Sequence, residues 1–386
     1  MTSLVRGFPD AEFQTRTRRA QALMAENDLA ALLLTTEAEL RYYTGFLTRF
    51  WESPTRPWFV VLPAVGDPIA VIPSIGAHLM RQTWITDVRC WQAPDYTDDG
   101  ITLLADTLME VAPQGTRIGI ADQMESSLRM PLANFRQLES MLAPREIVGD
   151  CSVTRRLRLV KSDAELTKIK TATAIADRAF DRVPEIAQAG TALAQVFRDF
   201  QRLCLEEGAD YVPYLAGGLG QDGYGDVISP ATDTPLAAGD VLMLDTGLVW
   251  DGYFCDFDRN FSVGPPSAEV SKAHQQLITA TRAAFDLARP GALMSDLFHA
   301  MNACVNPQAT GSDAGRLGHG LGMQLTEWPS IIAADHTPLA AGMVLTLEPG
   351  IILPNGRIMV HEENIVVTDG TPVWLSTPQP AEIRVI

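Results

Sequence analysis

The first third of the chain alternates short apolar runs with amphipathic stretches. Arg16–Asn27 has the periodicity of an amphipathic helix, and the apolar run Ala31–Thr36 predicts a buried strand. Phe59–Leu62 and Ile69–Ile72 flank a turn-rich segment and predict a hairpin, and Arg117–Ala121 predicts a further strand. Strands that alternate with helices are typical of a small α/β domain with a mixed sheet.

The pattern changes near residues 150–160, which predicts two domains, residues 1–154 and 155–386. Ser162 and Glu165 have the spacing of a capping box, so a helix is predicted from there to about Ile186. Later amphipathic stretches predict three more helices, Ala192–Glu207, Ser271–Ala288 and Met294–Val305. The glycine-rich segment Gly217–Gly225 lacks the Lys-Ser/Thr of a phosphate loop, and we expect a flexible loop that lines a site.

Composition and charge narrow the class of protein. With 386 residues, 46% hydrophobic and 20% charged, the chain is typical of a globular enzyme and not of a disordered protein. The five cysteines are scattered without a CxxC pair, which favours spectator thiols in a reducing compartment. A net charge of −17 disfavours nucleic acid as a partner. Neither a signal peptide nor a run of ~18 apolar residues is apparent, so we expect a cytoplasmic protein that does not bind a membrane.

The most informative segment is Asp240–Gly264, in which two strand-like runs flank Asp251-Gly252, a favoured two-residue turn. That turn would place Asp245 opposite Asp258, with Asp256 on the same face because alternate residues share a face. Three carboxylates on one patch repel each other unless a cation neutralises them. The alternative is a solvated outer face, which the surrounding apolar residues Leu244, Val249 and Phe257 disfavour.

Three further segments carry candidate ligands. His319 lies in a glycine-rich run (GHGLG) that would let the backbone approach a small bound object, Glu348 ends an apolar strand before Pro349, and Glu362 follows in HEEN. If Asn355-Gly356 is the connecting turn, Glu348 pairs with Glu363, and Glu362 points to the other face. A break or a bulge is then needed before Glu348 and Glu362 can meet.

These segments, in this order, resemble the methionine aminopeptidase/prolidase/creatinase family of pita-bread metallohydrolases. The resemblance covers essentially the whole chain and implies an α/β (α+β) fold with an N-terminal creatinase-like domain and a C-terminal pita-bread domain. It implies five metal ligands, namely Asp245, Asp256, His319, Glu348 and Glu362, which would hold two divalent ions. Oxygen ligands with one nitrogen suit Mn, Fe, Co or Zn. The resemblance also implies that Glu348 moves the proton during catalysis, and it leaves the part played by Asp258 open.

The chain departs from the family pattern around this centre. Peptidases of the family usually carry histidines where Ile228 and Thr326 stand, and proline-specific members usually carry an arginine at the position of Val360. We predict Thr326, His361 and Tyr253 as substrate-binding residues. An anionic end of a substrate could meet Arg259, Arg357 or a protonated His361, which the sequence does not rank.

The resemblance implies a hydrolase of amide or peptide C–N bonds, similar to Xaa-Pro peptidases, acting on a short peptide or a small non-peptide amide. The alternatives are a lyase that uses the same metals on a small solute-type compound and a binding protein without catalysis. The resemblance also implies a homodimer. The aromatic segment Phe50–Trp58, with Trp51, Arg56 and Trp58, is a candidate lid over a neighbour's site, and local packing of its rings is the alternative.

Overall fold

A computed structural model describes residues 5–53, 57–306 and 315–386. The chain divides into two compact units, Met1–Arg158 and Leu159–Ile386. Both contain helices and sheets, so the predicted α/β (α+β) class is confirmed. In the part of the chain that the structure describes, no helix is both long enough and apolar enough to cross a membrane.

The first unit is a six-stranded mixed sheet with helices around it. Its strands are β1 (Leu29–Leu34), β2 (Phe59–Pro63), β3 (Ile69–Pro73), β4 (Asp87–Trp91), β5 (Arg117–Ile120) and β6 (Glu146–Gly149). Its helices are α1 (Asp10–Glu26), α2 (Glu37–Thr44), α3 (Ala77–Met80), α4 (Ile101–Val111) and α5 (Leu132–Leu142), and the division between the units falls in α6 (Val153–Leu159). The sheet order is β4-β3-β2-β1-β5-β6, with antiparallel pairs in the middle and parallel pairs towards both edges.

The β2–β3 hairpin and the strands β1 and β5 confirm the sequence prediction, whereas helix α2 was not predicted. Its start is marked by a capping box in which Glu39 N–H bonds the Thr36 hydroxyl at 3.4 Å and the Glu39 carboxylate accepts from Thr36 N–H at 3.0 Å. Gly45, at φ 77°, ends the helix in the left-handed conformation that glycine favours. Eight residues are too few for a clear apolar period, so the caps were the readable signal.

The aromatic candidate lid belongs to this unit and packs on itself. The Trp58 ring is 6.0 Å from that of Trp51 and 5.3 Å from that of Phe46, and Trp58 is buried. Arg129 donates to the carbonyl oxygens of Trp51 and Ser53. Local packing therefore accounts for these rings, and the lid stays a prediction. Arg56 lies outside the described residues.

The second unit holds four long helices and two larger sheets. The helices are α7 (Asp163–Asp181), α8 (Leu193–Glu206), α9 (Ala268–Leu287) and α10 (Met294–Val305). The strands are β7 (Tyr211–Gln221), β8 (Asp240–Trp250), β9 (Tyr253–Phe254), β10 (Phe257–Ser262), β11 (His319–Gly320), β12 (Glu327–Ser330), β13 (Val344–Leu347), β14 (Gly350–Ile352), β15 (Ile358–Val360), β16 (Glu363–Val366), β17 (Val373–Trp374) and β18 (Arg384–Val385). One sheet has the order β18-β10-β8-β7, the other β12-β11-β13-β16-β17, and β14 pairs with β15.

The predicted helices of this unit are confirmed, with α7 capped by Ser162 and Glu165 as expected and ending at Asp181. The predicted loop at Gly217–Gly225 is wrong for residues 217–221, which are the end of strand β7 and pair along β8, whereas residues 222–225 follow the strand as a turn. Glycine is needed there for close packing and not for mobility. A Cβ on Gly217 would lie 2.3 Å from the Met243 carbonyl oxygen, and one on Gly218 would lie 2.7 Å from the Tyr224 side chain.

Strand β8 is buried on both faces and sorts its side chains between two cores. Leu242 and Leu244 pack with residues of α7 and α8, whereas Val241 and Met243 pack with residues of α9 and α10. Because side chains alternate along a strand, Asp245 continues the face of Val241 and Met243. The strand therefore places the Asp245 carboxylate next to apolar side chains, where water cannot solvate it.

Candidate metal centre

The predicted carboxylate hairpin is confirmed with its register. Asp251 and Gly252 form the turn with φ of 47° and 82°, and Trp250 pairs with Tyr253. Asp245 on β8 lies directly opposite Asp258 on β10. The ladder is interrupted between β9 and β10, at Cys255 and Asp256, and the interruption frees the Asp256 backbone for other partners.

Asn364 supplies those partners from the other sheet. Its amide oxygen accepts a hydrogen bond from Asp256 N–H at 3.0 Å, and its amide nitrogen donates to the Asp256 carbonyl oxygen. The Asn364 side chain is fully buried. One side chain thus replaces the missing ladder bonds and fixes Asp256 against the strand that begins after Glu362.

His319 is held by two contacts, one to a hydroxyl group and one to a backbone carbonyl group. Its N–H donates to the Thr346 hydroxyl at 3.2 Å, and its Nδ1 is 2.8 Å from the Gly320 carbonyl oxygen. A carbonyl can only accept, so Nδ1 carries the proton and Nε2 keeps its lone pair for a ligand. Burial lowers the pKa of His319 to about 4, so the ring is neutral near pH 7.

The sequence suggested that the glycines beside His319 let the backbone approach a bound object. In the structure they allow neighbouring strands to pack closely. Gly318 has φ 133°, and a Cβ there would lie 2.3 Å from the Thr346 carbonyl oxygen. A Cβ on Gly320 would lie 2.7 Å from the Trp328 carbonyl oxygen. Strand β11 therefore fits between β12 and β13 only with glycines on both sides of the histidine.

The predicted pairing of Glu348 with Glu363 is wrong by one residue. Leu347 lies opposite Glu363, and Gly350 lies opposite Val360, so Glu348 and Glu362 occupy facing positions. The turn is a three-residue loop, in which Leu353 N–H bonds the Arg357 carbonyl oxygen at 2.8 Å and Gly356 has φ 81°. Three-residue hairpin loops end in such a left-handed residue, and this one shifts the register relative to a two-residue turn.

The five sequence-predicted ligands lie on or beside inner strands of the two sheets, and three of them converge as a metal site would require. Ligand atoms of Asp256, His319 and Glu362 all lie within 4.8 Å of one another, with His319 Nε2 3.4 Å from Asp256 Oδ2. Asp245 lies close enough to interact electrostatically with two of them, since its negative charge contributes to the raised pKa of both Asp256 and Glu362. The Tyr214 hydroxyl donates to Asp245 at 3.1 Å and fixes its orientation.

The acidic groups of the centre destabilise one another when they are ionised without a cation. Burial, followed by the charges of neighbouring carboxylates, raises the pKa of Asp245, Asp256 and Glu362 well above their ordinary values. Glu348 is partly buried, and burial raises its pKa to about 7. Such mutual repulsion in a buried place is the physical signature of a site that a cation neutralises.

The donor set fits a divalent ion. Among the described residues, no hydrogen-bond partner reaches Asp245 Oδ1 or Glu362 Oε1, although both atoms are buried. Leaving buried carboxylate oxygens without a partner costs free energy, which metal coordination would offset. Carboxylate oxygens with one imidazole nitrogen match Mn, Fe, Co or Zn better than metals that prefer thiolates.

Asp258 and His361 form a second layer next to the ligands. His361 is buried, with Nδ1 3.5 Å from Asp258 Oδ1 and Nε2 3.2 Å from Glu363 Oε1. Burial lowers the pKa of His361, but hydrogen bonds to these two carboxylates outweigh it and raise the pKa overall. Both ring nitrogens therefore face carboxylates of the protein, and a contact of His361 with substrate stays a prediction.

Arg259, one of the cations considered for a substrate, is committed to the protein itself. Its guanidinium lies 3.0 Å from Glu363 Oε2 and donates to the carbonyl oxygens of Glu362 and Thr377. It is 5% exposed, so most of its donors are used within the protein. Arg357, the other candidate, donates to the Gly223 carbonyl oxygen at 3.1 Å.

The remaining predicted residues have these positions. Thr326 is partly buried in the bend between Gly322 and strand β12. Tyr253 is buried, and its hydroxyl donates to Glu165 at 2.9 Å at the start of α7, so that hydroxyl has a structural partner. Ile228 is 83% exposed, which is a poor position for a group in a buried site. Substrate contacts of Thr326 and Tyr253 stay predictions.

Sequence reasoning missed several residues that shape the centre. Tyr214 and Asn364 gave no signal because each acts across a strand pairing that the sequence did not specify. Glu327 could have been found as a carboxylate next to an apolar strand. It pairs with Lys161 at 3.2 Å, with both side chains buried, and accepts from Met323 N–H at 2.8 Å, which shapes the bend that contains Thr326.

Comparison with known proteins identifies two domains in the chain. Residues 16–160 match the creatinase/prolidase N-terminal domain, and residues 167–369 match metallopeptidase family M24. The probable dipeptidase PepE of Mycobacterium bovis is 31% identical over 368 residues, covering 93% of this chain and 92% of that protein.

Solved structures share the fold of the chain. A crystal structure of dipeptidase PepE from Mycobacterium ulcerans superposes with a TM-score of 0.84 at 30% identity, covering 98% of this chain and 99% of that one. A prolidase from Thermococcus sibiricus shares the fold, with a TM-score of 0.84 at 23% identity over 97% of this chain and 99% of that one. The predicted pita-bread metallohydrolase with a creatinase-like N-terminal domain is thereby confirmed, and the chain belongs to metallopeptidase family M24.

Proposed function

We propose that this protein is a dipeptidase that uses two divalent metal ions held by Asp245, Asp256, His319, Glu348 and Glu362. The observation that carries the proposal is the convergence of Asp256, His319 and Glu362 within 4.8 Å, with Asp245 close by. Four carboxylates and a neutral imidazole balance the charge of two divalent ions, whereas one ion would leave a buried negative charge.

Bound divalent ions would polarise the scissile carbonyl group and make a water molecule a better nucleophile at neutral pH. The residues of the chain transfer the proton and hold the metal ligands in position. Glu348 is the partly exposed carboxylate of the centre, so it can accept a proton and return it to the departing amine. Tyr214 holds Asp245 through its hydroxyl, and Asn364 holds Asp256 through its backbone. These contacts keep the carboxylates in place while the proton moves.

Short peptides are the substrate class that the relatives favour. The two most similar proteins described above are named as dipeptidases. Nothing in the comparisons supports a non-peptide amide or a lyase reaction. The replacements at Ile228, Thr326 and Val360 remain, and they argue against a site specialised for proline dipeptides, because none of the three can supply the charged groups usual there.

The direct test is hydrolysis of a panel of dipeptides by protein loaded with Mn, Co or Zn, together with the metal content per chain. We expect cleavage of the peptide bond and close to two ions per chain. An Asp256→Asn and His319→Ala pair of variants should lose both metal and activity. A protein that binds stoichiometric metal but cleaves no dipeptide would contradict the proposed substrate class, and one that binds no metal would contradict the centre.

A further inference from the structure

A cavity of about 340 Å³ lies in the second unit beside Glu348. Its walls are the end of α10, the hairpin β14–β15 and the residues just before β11. The volume falls in the range of sites that bind small molecules. Glu348 belongs to both the cavity and the metal centre, so a molecule in this cavity would touch the reacting groups.

Most of the cavity wall is apolar. Ile358 and Val360 line it from one face of the hairpin. Such a wall suits an uncharged side chain and offers nothing to a carboxylate. Val360 occupies the position at which, by resemblance, proline-specific relatives carry an arginine, so this chain needs its cation from another element.

Arg316 is the one cation among the described residues that line the cavity. Its side chain is exposed, and no described residue forms a hydrogen bond or an ion pair with it. Its positive charge lowers the pKa of Glu348 and of Asp256, so it acts within Coulombic range of both carboxylates. It differs from Arg259 and Arg357, whose guanidinium groups are engaged by the protein.

We propose that Arg316 binds the C-terminal carboxylate of a dipeptide whose scissile bond lies at the metal centre and whose second side chain lies against Ile358 and Val360. In a dipeptide only one residue, at most ~3.6 Å of extended chain, separates the scissile bond from that carboxylate. The cation that binds this carboxylate must therefore lie close to the metal centre, as a residue in the wall of the cavity beside Glu348 does. This inference rests on the proposed function and extends it to the group that selects dipeptides over longer chains.

The chemistry of the surroundings supports an attractive role for this arginine. The chain carries a net charge of −17, so a free carboxylate would be repelled by the protein as a whole without a local cation. A guanidinium matches a carboxylate through two parallel hydrogen bonds, which a lysine cannot reproduce.

The test compares a dipeptide with a free carboxylate, such as Ala-Leu, with the same dipeptide amidated at its C-terminus, using the metal-loaded full chain. For the natural protein we expect kcat/KM to be about 10- to 100-fold higher for the free acid, the usual worth of a charge-assisted contact. In Arg316→Met this preference should fall to near 1, because kcat/KM should drop more for the free acid than for the amide. Arg316→Lys should retain part of the preference, and Arg357→Met should retain all of it.

A second readout does not depend on turnover. Calorimetric titration with a reduced-amide analogue of Ala-Leu, as free acid and as amide, should show the same preference in Kd and the same loss in Arg316→Met. Equal losses for acid and amide would mean that Arg316 only tunes the metal centre, and an unchanged preference would mean that another group binds the carboxylate; either result overturns the proposal. If Arg316→Met does not fold, a natural protein without acid preference overturns it equally. Failure to cleave either peptide would instead count against the proposed function, while the titration still tests Arg316.

Discussion

At the residue scale, Glu348 differs from the other acidic residues of the centre because it is partly exposed and lines the adjoining cavity. Its partial exposure lets it exchange a proton with a bound substrate or with water. We expect Glu348→Gln to lower kcat by ~10²–10⁴-fold, because the amide cannot carry the proton and is a weaker metal ligand. Steady-state kinetics with metal analysis of each preparation measures this, with the exposed Glu382→Gln as control. A near-normal rate would remove Glu348 from the mechanism.

Thr326 is the second residue on which specificity depends. By resemblance, a histidine usually stands there, and an imidazole can donate to a developing oxyanion or hold a carbonyl group, whereas threonine is shorter and never charged near pH 7. We therefore expect Xaa-Pro dipeptides to be poor substrates, and Thr326→His to raise kcat/KM for them. The measurement is kcat/KM on one proline dipeptide for both proteins. Fast cleavage of that substrate by the natural protein would show that the replacement does not limit it.

At the element scale, the centre depends on how Asn364 joins two strands that do not share a ladder. Replacing Asn364 by alanine leaves the N–H and carbonyl oxygen of Asp256 buried without partners, at about 1–3 kcal/mol for each group. We expect Asn364→Ala to lower the free energy of unfolding by about 2–4 kcal/mol and to weaken metal binding as well. Asn355→Ala, in the exposed loop after β14, is the matched control and should cost less than ~1 kcal/mol. Denaturant unfolding and metal titration check both, and equal costs in the two variants would contradict the role of Asn364.

Comparison of the two hairpins shows how far the sequence could predict this centre. Asp251-Gly252 is a sequence typical of a two-residue turn. Counting residues outward from that turn along both strands correctly placed Asp245 opposite Asp258. Asn355-Gly356 resembles the same signal, but Pro354 begins a three-residue loop there, and the one-residue error placed Glu362 on the wrong face. Tyr214 and Asn364 reach the centre through tertiary contacts, which no local pattern records.

At the scale of the whole molecule, the homodimer and the domain bounds 1–154 and 155–386 stay predictions. The dimer follows from the family resemblance, in which a neighbour's N-terminal domain often covers the active site. We expect sedimentation equilibrium to give about twice the 42.0 kDa of one chain. A single 42.0 kDa species at micromolar concentration would contradict it, and activity that does not change on dilution would separate the dimer from catalysis.

The pH dependence of stability is a further property of the whole chain, because the acidic centre joins its two large sheets. In the folded, metal-free protein the pKa of Glu348 is about 7, and those of Asp245, Asp256 and Glu362 are raised well above their ordinary values. Unfolding returns them to about 4. Between these values the folded state binds more protons than the unfolded state, so its free energy of unfolding falls as pH rises. His319 and His274, with pKa lowered to about 4, act in the opposite sense, but only below about pH 6.5.

We therefore expect the Tm of protein stripped of metal by a chelator to fall by roughly 3–8 °C between pH 6.5 and pH 8. In this range His319 and His274 contribute little, whereas His361, whose pKa is raised, adds to the fall because it loses its proton there. Divalent ions bind the deprotonated carboxylates and remove their mutual repulsion, so the gain in Tm on adding Mn should be larger at pH 8 than at pH 6.5. Scanning calorimetry at the two pH values, with and without Mn, measures both effects. Because the exposed acids of the surface are ionised at both pH values, they cannot produce this difference. A gain that is equal at the two values, or larger at pH 6.5, would mean that the buried carboxylates are not what the metal stabilises.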